Sequence, residues 1–230
     1  MNFSANWRSI FSEKLTANFS FGYDHYDYRN DESVEEAAAA RLSFAINQWF
    51  GKVDFSYKLD NNHTLNFGLM SQFYNINSGT YEPLHESSLV KWDQLQKDKA
   101  LESAIYIGDQ WEITPKLSVN AGIRYSMFNL LGPRTYYTYQ DGMLPSSTTV
   151  VDSVSVGGGK VVKTYQGPEF RLSARYAFND DFSVKAGFNT MRQYIHKVSN
   201  TTIMSPTDTW KLSDMNIKPQ NGCLLYTSDA

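Results

Sequence analysis

Leu117-Ser-Val-Asn-Ala-Gly-Ile-Arg-Tyr-Ser-Met127 is the stretch whose reading decides the fold. Leu117, Val119, Ala121, Ile123, Tyr125 and Met127 alternate without a break against Ser118, Asn120, Gly122, Arg124 and Ser126. Side chains of a strand point to opposite faces with a period of two, so the segment makes one apolar and one polar surface. A helix would spread the same apolar residues around its whole circumference. Thr114-Pro115-Lys116 stands just before it, a tight-turn signal in which Pro115 presets its own φ.

Three more segments share this grammar, each opening after a short polar turn. They begin Leu15-Thr-Ala-Asn-Phe-Ser-Phe-Gly-Tyr23, Leu65-Asn-Phe-Gly-Leu69 and Phe182-Ser-Val-Lys-Ala-Gly-Phe-Asn189. Their turns read Ser12-Glu13-Lys14, Asp60-Asn61-Asn62 and Asn179-Asp180-Asp181, where Asn and Asp hydrogen-bond their own backbone. Incoming strands fall over about 2–11, 41–58, 99–113 and 169–178. In the second of these the apolar positions change parity, from Leu42, Phe44 and Ile46 to Val53, Phe55 and Tyr57. That change predicts a bulge near Phe50-Gly51.

The spacing therefore predicts about eight antiparallel strands in four hairpins. The connections between hairpins, about 29–38, 76–98, 131–168 and 195–216, are much longer than the turns within them, and residues 195–230 offer no further clean strand. Val34–Arg41 reads as loop with a turn of helix, and Leu89–Ala104 as a helical cap around Val90, Trp92 and Leu95 before a strand starts near Ala100. Val154–Val162 reads as a hairpin with Gly157-Gly158-Gly159 at its tip.

Composition agrees with this pattern. Mean hydropathy is −0.46, yet 15% of the residues are aromatic. No run approaches the ~20 apolar residues of a spanning helix. Polar on average but rich in rings fits strands with one wet face and aromatic girdles at two membrane interfaces. Short turns on one end and long loops on the other separate this pattern from a soluble sandwich. The expected fold is all-β: an antiparallel transmembrane β-barrel segment of a bacterial outer membrane, with short periplasmic turns and long extracellular loops. A net charge of −3 gives no basic field for nucleic acid. The single Cys223 excludes a disulfide framework and a cysteine metal cluster.

Both ends are unusual. Met1 is followed by neither a basic nor an apolar leader region, so the chain reads as a piece of a longer one. Cys223-Leu-Leu-Tyr-Thr-Ser-Asp-Ala230 is similar to one reading frame of a transposon-end sequencing adapter. The expected division is therefore 1–220 as barrel segment and 221–230 as a non-native tail. Alone, such a segment is expected to form an open sheet with two bare edges.

Candidate chemistry is sparse. His25, His63, His85 and His196 share no metal-ligand spacing, and Asp24 and His25, being adjacent, face opposite ways on a strand. No enzyme, metal or cofactor is expected. The Gly157–Gly159 run lacks the Gly-Lys-Ser/Thr ending and following helix of a phosphate loop. The loop aromatics Tyr81, Trp92, Tyr136, Tyr137, Tyr139 and Tyr165 are candidates to stack on a ligand, or to pack the loops. The inward cations Arg124, Arg171, Arg175, Lys185 and Arg192 line the interior, either to bind a charged solute or to satisfy acidic neighbours. Tyr81, Trp92, Tyr136, Tyr137, Tyr139, Arg124, Arg171 and Arg175 are the ligand-binding candidates.

Ala100-Leu-Glu-Ser-Ala-Ile-Tyr-Ile-Gly-Asp-Gln-Trp-Glu-Ile113, continuing into Leu117–Tyr125, resembles the TonB-dependent outer-membrane receptors of the Bacteroidetes type. Asn189-Thr-Met-Arg-Gln-Tyr-Ile-His196, Asn200-Thr-Thr, Ser205-Pro-Thr-Asp-Thr-Trp210 and Ile217-Lys-Pro-Gln220 resemble the same family. The resemblance implies active uptake of a scarce nutrient such as a siderophore–iron complex, a cobalamin-like compound or an oligosaccharide. It implies outer-membrane lipids, an N-terminal plug domain and the TonB complex as partners, with the inward cations helping to hold the plug. Eight strands are then part of a wall of 22. A passive porin-like or fatty-acid channel, and a stand-alone eight-stranded structural or adhesive barrel, are the alternatives.

Overall fold

The computed structural model describes residues 1–144, 146, 148–179, 181–198 and 209–229. Asp180 of the fourth turn, and the Asn200–Thr202 and 205–208 parts of the resemblance, lie outside them. No helix among the described residues is long and apolar enough to cross a membrane. Among the described residues there are fourteen strands, in chain order β1 (Asn2–Ile10), β2 (Leu15–Glu32), β3 (Ala40–Lys58), β4 (His63–Pro83), β5 (Asp93–Gln94), β6 (Asp98–Thr114), β7 (Leu117–Leu131), β8 (Arg134–Tyr139), β9 (Val150–Val156), β10 (Val161–Ala177), β11 (Ser183–Gln193), β12 (Ile195–Val198), β13 (Thr209–Leu212) and β14 (Gln220–Asp229). The main sheet runs β1-β2-β3-β4-β6-β7-β10-β11-β14, antiparallel throughout, with β5 beside β4. It is open, β1 and β14 forming its edges. Two small sheets, β8–β9 and β12–β13, come from the long connections.

All four tight turns lie at one end and are closed by one device. Ser12 Oγ accepts from Leu15 N at 3.1 Å, Asp60 Oδ1 from Asn62 N at 2.7 Å, Thr114 Oγ1 from Leu117 N at 3.0 Å, and Asn179 Oδ1 from Asp181 N at 3.1 Å. His63 N also donates to Asp60, and these two amides hold the Asp60 carboxyl below the usual carboxylate range.

Strands continue further than apolar alternation suggested. β2 reaches Glu32 and β4 reaches Pro83, because backbone pairing needs only a partner, not an apolar face. At the far end of β2 and β3 Arg41 faces Asp31 in register and donates twice to its carboxylate, at 2.7 and 2.8 Å. Several expectations are corrected here. Leu89–Ala104 holds no helix: Asp93–Gln94 pairs with Thr80–Tyr81, and β6 starts at Asp98. Val154–Val162 is not a hairpin of its own: β9 pairs back to β8, and the glycine turn leads into β10. Residues 195–230 do supply strands, β12, β13 and β14. The 33–39 connection holds a single 3-10 turn, Glu36–Ala38, as its composition suggested.

The predicted bulge at Phe50-Gly51 is also absent. β3 pairs with β2 unbroken from end to end, and the irregularity falls opposite Phe44, where β4 carries the extra residue around Ser78-Gly79. The parity change has another cause. Phe44 and Ile46 point inward, where the upper inner face is itself apolar, whereas Val53, Phe55 and Tyr57 point outward.

The outer face is the exposed one: Leu69, Ile105, Ile107, Ile123 and Leu172 all lie on it, Ile105 at 66% exposure. Polar groups bound this apolar band. Above, Tyr23 Oη donates to Asn47 Oδ1 at 2.7 Å, with the Tyr23 ring against Trp49. Below, His63 stacks on Trp111 and lies 2.6 Å from Asp109. Asp109 is in the row of Tyr57, ten residues from Asn47 along β3, or roughly 34 Å of strand. At the usual tilt of about 40° this spans about 26 Å, matching the height of an outer-membrane apolar band.

On the inner face three glycines lie under a ring from the strand beside them: Gly22 under Phe50, Gly68 under Tyr106 and Gly187 under Tyr226. Tyr106 crosses Gly68 to donate to Asp54. Gly68→Val removes that berth and is expected to destabilise the protein by about 1–3 kcal/mol. Urea unfolding in lipid vesicles reads the effect. Gly51→Ala, on the outer face with nothing within 4 Å, is expected to stay within about 0.5 kcal/mol.

Candidate functional site

Register arranges the inner face in layers. The uppermost is apolar: Tyr74, Ile76, Ala100, Phe128, Leu130, Tyr194 and Leu212 form the buried cluster, and the Phe128 and Tyr194 rings stack 4.7 Å apart. Leu212 belongs to the β12–β13 hairpin, which folds in over the wall rather than standing away from it. Arg134 fastens the hairpin, binding Asp98 at the start of β6 and Asp214 just beyond β13, the latter at 2.7 Å. Leu212 N donates to Asp98, and Tyr165 Oη to the Asp214 carbonyl at 2.7 Å.

His196 of β12 is buried, 2.8 Å from Ser213 Oγ, with Lys211 opposite it in register. Burial pushes its imidazole below the ordinary histidine value, and Asp214 partly counters this.

The next layer is ionic. Arg124 donates to both oxygens of Glu169, at 3.0 and 2.9 Å, and to Glu102 at 3.1 Å. Ser126 Oγ donates to Glu169 at 2.7 Å and touches Tyr194 Oη at 2.9 Å, while Tyr74 Oη donates to Glu102 at 3.0 Å. Both carboxylates are buried. Buried charges persist only when paired and hydrogen-bonded, and every charge in this layer is.

Lower still, the row Asn66–Gly108–Gly122–Arg171–Asn189 crosses the wall. Beneath it Arg175 stands directly opposite Lys185. Arg175 Nε donates to Ser183 Oγ at 3.3 Å.

The expected ligand residues separate into three groups. Arg124 is consumed by the ionic layer, whereas Arg171 and Arg175 line the lower inner face. Tyr81 sits at the top of β4 beside a small cavity of about 270 Å³ with Leu42, Gly79, Asp93, Leu95 and Thr209. Trp92, 62% exposed, precedes β5. Tyr136 and Tyr137 fall on opposite faces of β8, and Tyr139 shares the face of Tyr137. Tyr165 is turned inward and bonded to the hairpin. The structure thus sets the loop aromatics on two separate loops, apart from the wall cations.

His25 behaves as alternation required toward Asp24, which faces the other way. It meets Asp27 instead, Nε2 to Oδ1 at 3.3 Å, two residues on and on the same face. Among the described residues no three of His, Cys, Asp or Glu converge to hold a metal ion. Sequence reasoning missed Glu102, Glu169, Asp98 and Asp214. Asp98, Glu102 and Glu169 share the inward parity of Arg124, whereas Asp214, outside any strand, carries no such signal.

Comparison with known proteins adds an independent line. The family model described as "TonB dependent receptor-like, beta-barrel" matches residues 2–219. The search of curated proteins finds no match. Among solved structures, the Copper transporter OprC is similar at a TM-score of 0.59 and 12% identity over 84% of this chain. The ferric yersiniabactin uptake receptor FyuA from Yersinia pestis is similar at 0.57 and 11% over 99%. The ferric-catecholate import receptor Fiu from E. coli K12 is similar at 0.56 and 12% over 99%. At such identities the likeness is one of fold. The chain spans 30%, 32% and 37% of the lengths of those three proteins.

Two predictions follow from the layers. Arg124→Met strands two buried carboxylates and is expected to cost about 3–5 kcal/mol in urea unfolding. For His196 the folded value is depressed, so its stabilising contribution is full above the unfolded value near ~6.5 and falls away as pH drops. Amide exchange at Leu212 and Ser213, corrected for intrinsic rate, is expected to speed up from pH 7 to pH 5. His196→Gln is expected to flatten that dependence.

Proposed function

Because this chain belongs to the TonB-dependent receptor β-barrel family, we propose that it forms part of the wall, outer loops and inner lining of an outer-membrane receptor. That receptor takes up a scarce nutrient with energy transmitted by TonB. The observation that carries the reading is the two-sided wall: an apolar outer band of membrane height against an inner face layered with paired charges. Such a face suits a polar content better than a packed hydrophobic core. The lipids of the outer membrane cover the outside, a plug domain fills the inside, and TonB acts on that plug.

The nutrient classes proposed are a siderophore–iron complex, a cobalamin-like compound or an oligosaccharide. Capture begins at the outer loops. Trp92, Tyr81 and the Tyr137–Tyr139 face of β8 offer exposed or half-exposed rings there, and rings bind sugars, aromatic chelators and corrin edges through their faces. Arg171 and Arg175 line the route inward.

Uptake by cells expressing the complete coding sequence tests the proposal, with labelled ferric chelates, cobalamin and oligosaccharides as the panel. One of these is expected to accumulate only while the proton gradient stands, and a protonophore is expected to abolish its uptake. Accumulation that survives the protonophore marks a passive channel instead. A 230-residue chain that closes alone into a heat-modifiable barrel marks a stand-alone surface protein. For the accepted nutrient, Trp92→Ala and Tyr137→Ala are each expected to weaken surface binding by roughly 5–30-fold, the range for losing an exposed aromatic anchor.

A further inference from the structure

Two of the long connections meet at one side chain, that of Arg134. The β8–β9 hairpin is a sheet of its own, and its foot is tightly closed. Gly132 N donates to Lys160 O at 2.9 Å, Gly159 N donates to Gly132 O at 3.0 Å, and Thr135 N donates to Gln96 Oε1 at 3.3 Å. A Cβ on Gly132 would lie 2.8 Å from Val156 O, a closeness that glycine alone allows. Above the foot, the hydrogen bonds among the described residues stay within the hairpin, such as Thr138 Oγ1 to Asp152 O at 3.3 Å and Gln140 N to Thr149 O at 2.9 Å. The hairpin is therefore anchored at one end, and Arg134 stands at that end.

From the foot Arg134 reaches two carboxylates on two other elements. Nη1 donates to Asp98 at the start of β6, and Nη2 to Asp214 beyond β13 at 2.7 Å. The side chains of Arg134, Asp98 and Asp214 are 12%, 2% and 7% exposed. The remaining carboxylate oxygens are taken as well: Asp98 Oδ2 accepts from Leu212 N at 3.2 Å, and Asp214 Oδ1 from Asn216 N and Ile217 N at 2.8 and 2.9 Å. Two buried carboxylates thus share one guanidinium, and the two hairpins stand differently toward it. If β12–β13 lifts and takes Asp214 with it, a one-to-one Arg134–Asp98 pair stays behind. If β8–β9 moves and takes Arg134 with it, two like charges are left together where water is scarce. Burial keeps the neighbouring His196 uncharged at neutral pH, so it does not replace the guanidinium.

We propose that Arg134 is a clamp coupling the two hairpins: β8–β9 cannot move without releasing β12–β13, whereas β12–β13 can lift while β8–β9 stays seated. Arg134 is then a positioning residue and need not touch a solute. In the receptor reading the β8 rings Tyr137 and Tyr139 meet the nutrient, on the strand that Arg134 begins. A solute that favours a displaced β8–β9 draws the guanidinium away, by as much as its affinities for the two positions differ. Repulsion between Asp98 and Asp214 then drives β12–β13 off the layer of Ile76, Phe128 and Leu130. The inference rests on that reading for what moves β8–β9, and deepens it by naming how capture is passed to the inner lining. The clamp itself is measured with no nutrient present, so it and the uptake reading fail separately.

Amide hydrogen exchange of the complete protein in detergent micelles at neutral pH tests it. Ser213 N, which donates to Tyr194 O at 2.7 Å, reports on β12–β13, and Thr135 N, which donates to Gln96, reports on the β8–β9 foot. Arg134→Gln strands both carboxylates and is expected to speed exchange at both amides by at least about tenfold. Asp214→Asn leaves the Arg134–Asp98 pair and is expected to speed Ser213 while Thr135 stays within about twofold of the unchanged protein. Arg134→Gln combined with Asp98→Asn and Asp214→Asn removes all three charges and is expected to restore most of the protection at Ser213, which a role in packing alone would not do. Heat-modifiable mobility verifies the folding of each variant. Where Arg134→Gln does not fold, Asp214→Asn and the triple variant decide, each against the unchanged protein. Unchanged exchange at Ser213 in Arg134→Gln overturns the proposal. So does acceleration of Thr135 beyond about twofold in Asp214→Asn, or a triple variant without recovery at Ser213.

Discussion

Cross-strand pairing in one continuous antiparallel ladder is the constraint on which everything else depends. A wall facing lipid has no water to satisfy a stray N–H or C=O, so each strand must be paired along its length. Pairing fixes register, and register fixes which side chains share a row. Arg124 meets Glu169, Tyr106 lies on Gly68, and Arg171 stands between Gly122 and Asn189, because those residues are opposite one another in the ladder. A slip of one residue would exchange the faces. Arg124 would enter lipid at a cost of about 2–4 kcal/mol near the midplane, and Ile123 would take its place among carboxylates.

Given that ladder, the inner face sorts itself by height. The apolar layer lies toward the long-loop end, where the β12–β13 hairpin covers it and keeps water from Phe128, Leu130 and Ile76. Burying that cluster makes the charges beneath it expensive to leave unpaired, and Glu102, Arg124 and Glu169 accordingly satisfy one another. Further down, among the described residues no hairpin covers the wall, the strands thin to glycine, serine and asparagine, and Arg171 stands exposed without a carboxylate beside it. Burial thus gives way to exposure along one face of the same strands. Alternation cannot express this gradient, since it distinguishes faces and not heights.

That difference separates what was legible in the sequence from what was not. The hairpins, their turns and the two faces were readable, because a period of two and a side-chain-capped turn are local. Asp24 and His25 were correctly sent to opposite faces on that basis alone. The parity change in β3 was misread as a bulge, because apolar was equated with outward. Ile46 is apolar and inward, facing Ile76 of a cluster completed by Tyr194 and Leu212, far along the chain. Register also escaped where it was interrupted. Counting outward from Thr114 opposite Leu117 places Gly108 against Ile123, and only the irregularity between Glu112 and Thr114 brings the glycines together. Glu169 was hidden for another reason: the 29 residues between β7 and β10 leave their alignment undetermined until the strands are seen side by side.

The loops illustrate the same limit from the other side. Composition suggested helix before β6 and a glycine-tipped hairpin before β10, both from local propensity. Strand edges overrode it: Asp93–Gln94 found Thr80–Tyr81, a stretch of β4 beyond its pairing with β6, and β9 found β8 rather than its own continuation. Near the top of a wall of long strands, exposed backbone groups are the strongest unsatisfied partners available. A connecting segment gains more by pairing with them than by forming one isolated helical turn, whose nucleation is unfavourable. The same competition accounts for the β12–β13 hairpin, which brings Leu212 onto the apolar layer and Asp214 to Arg134. A long connection thereby becomes part of the inner lining, and that face is set by wall and loop together.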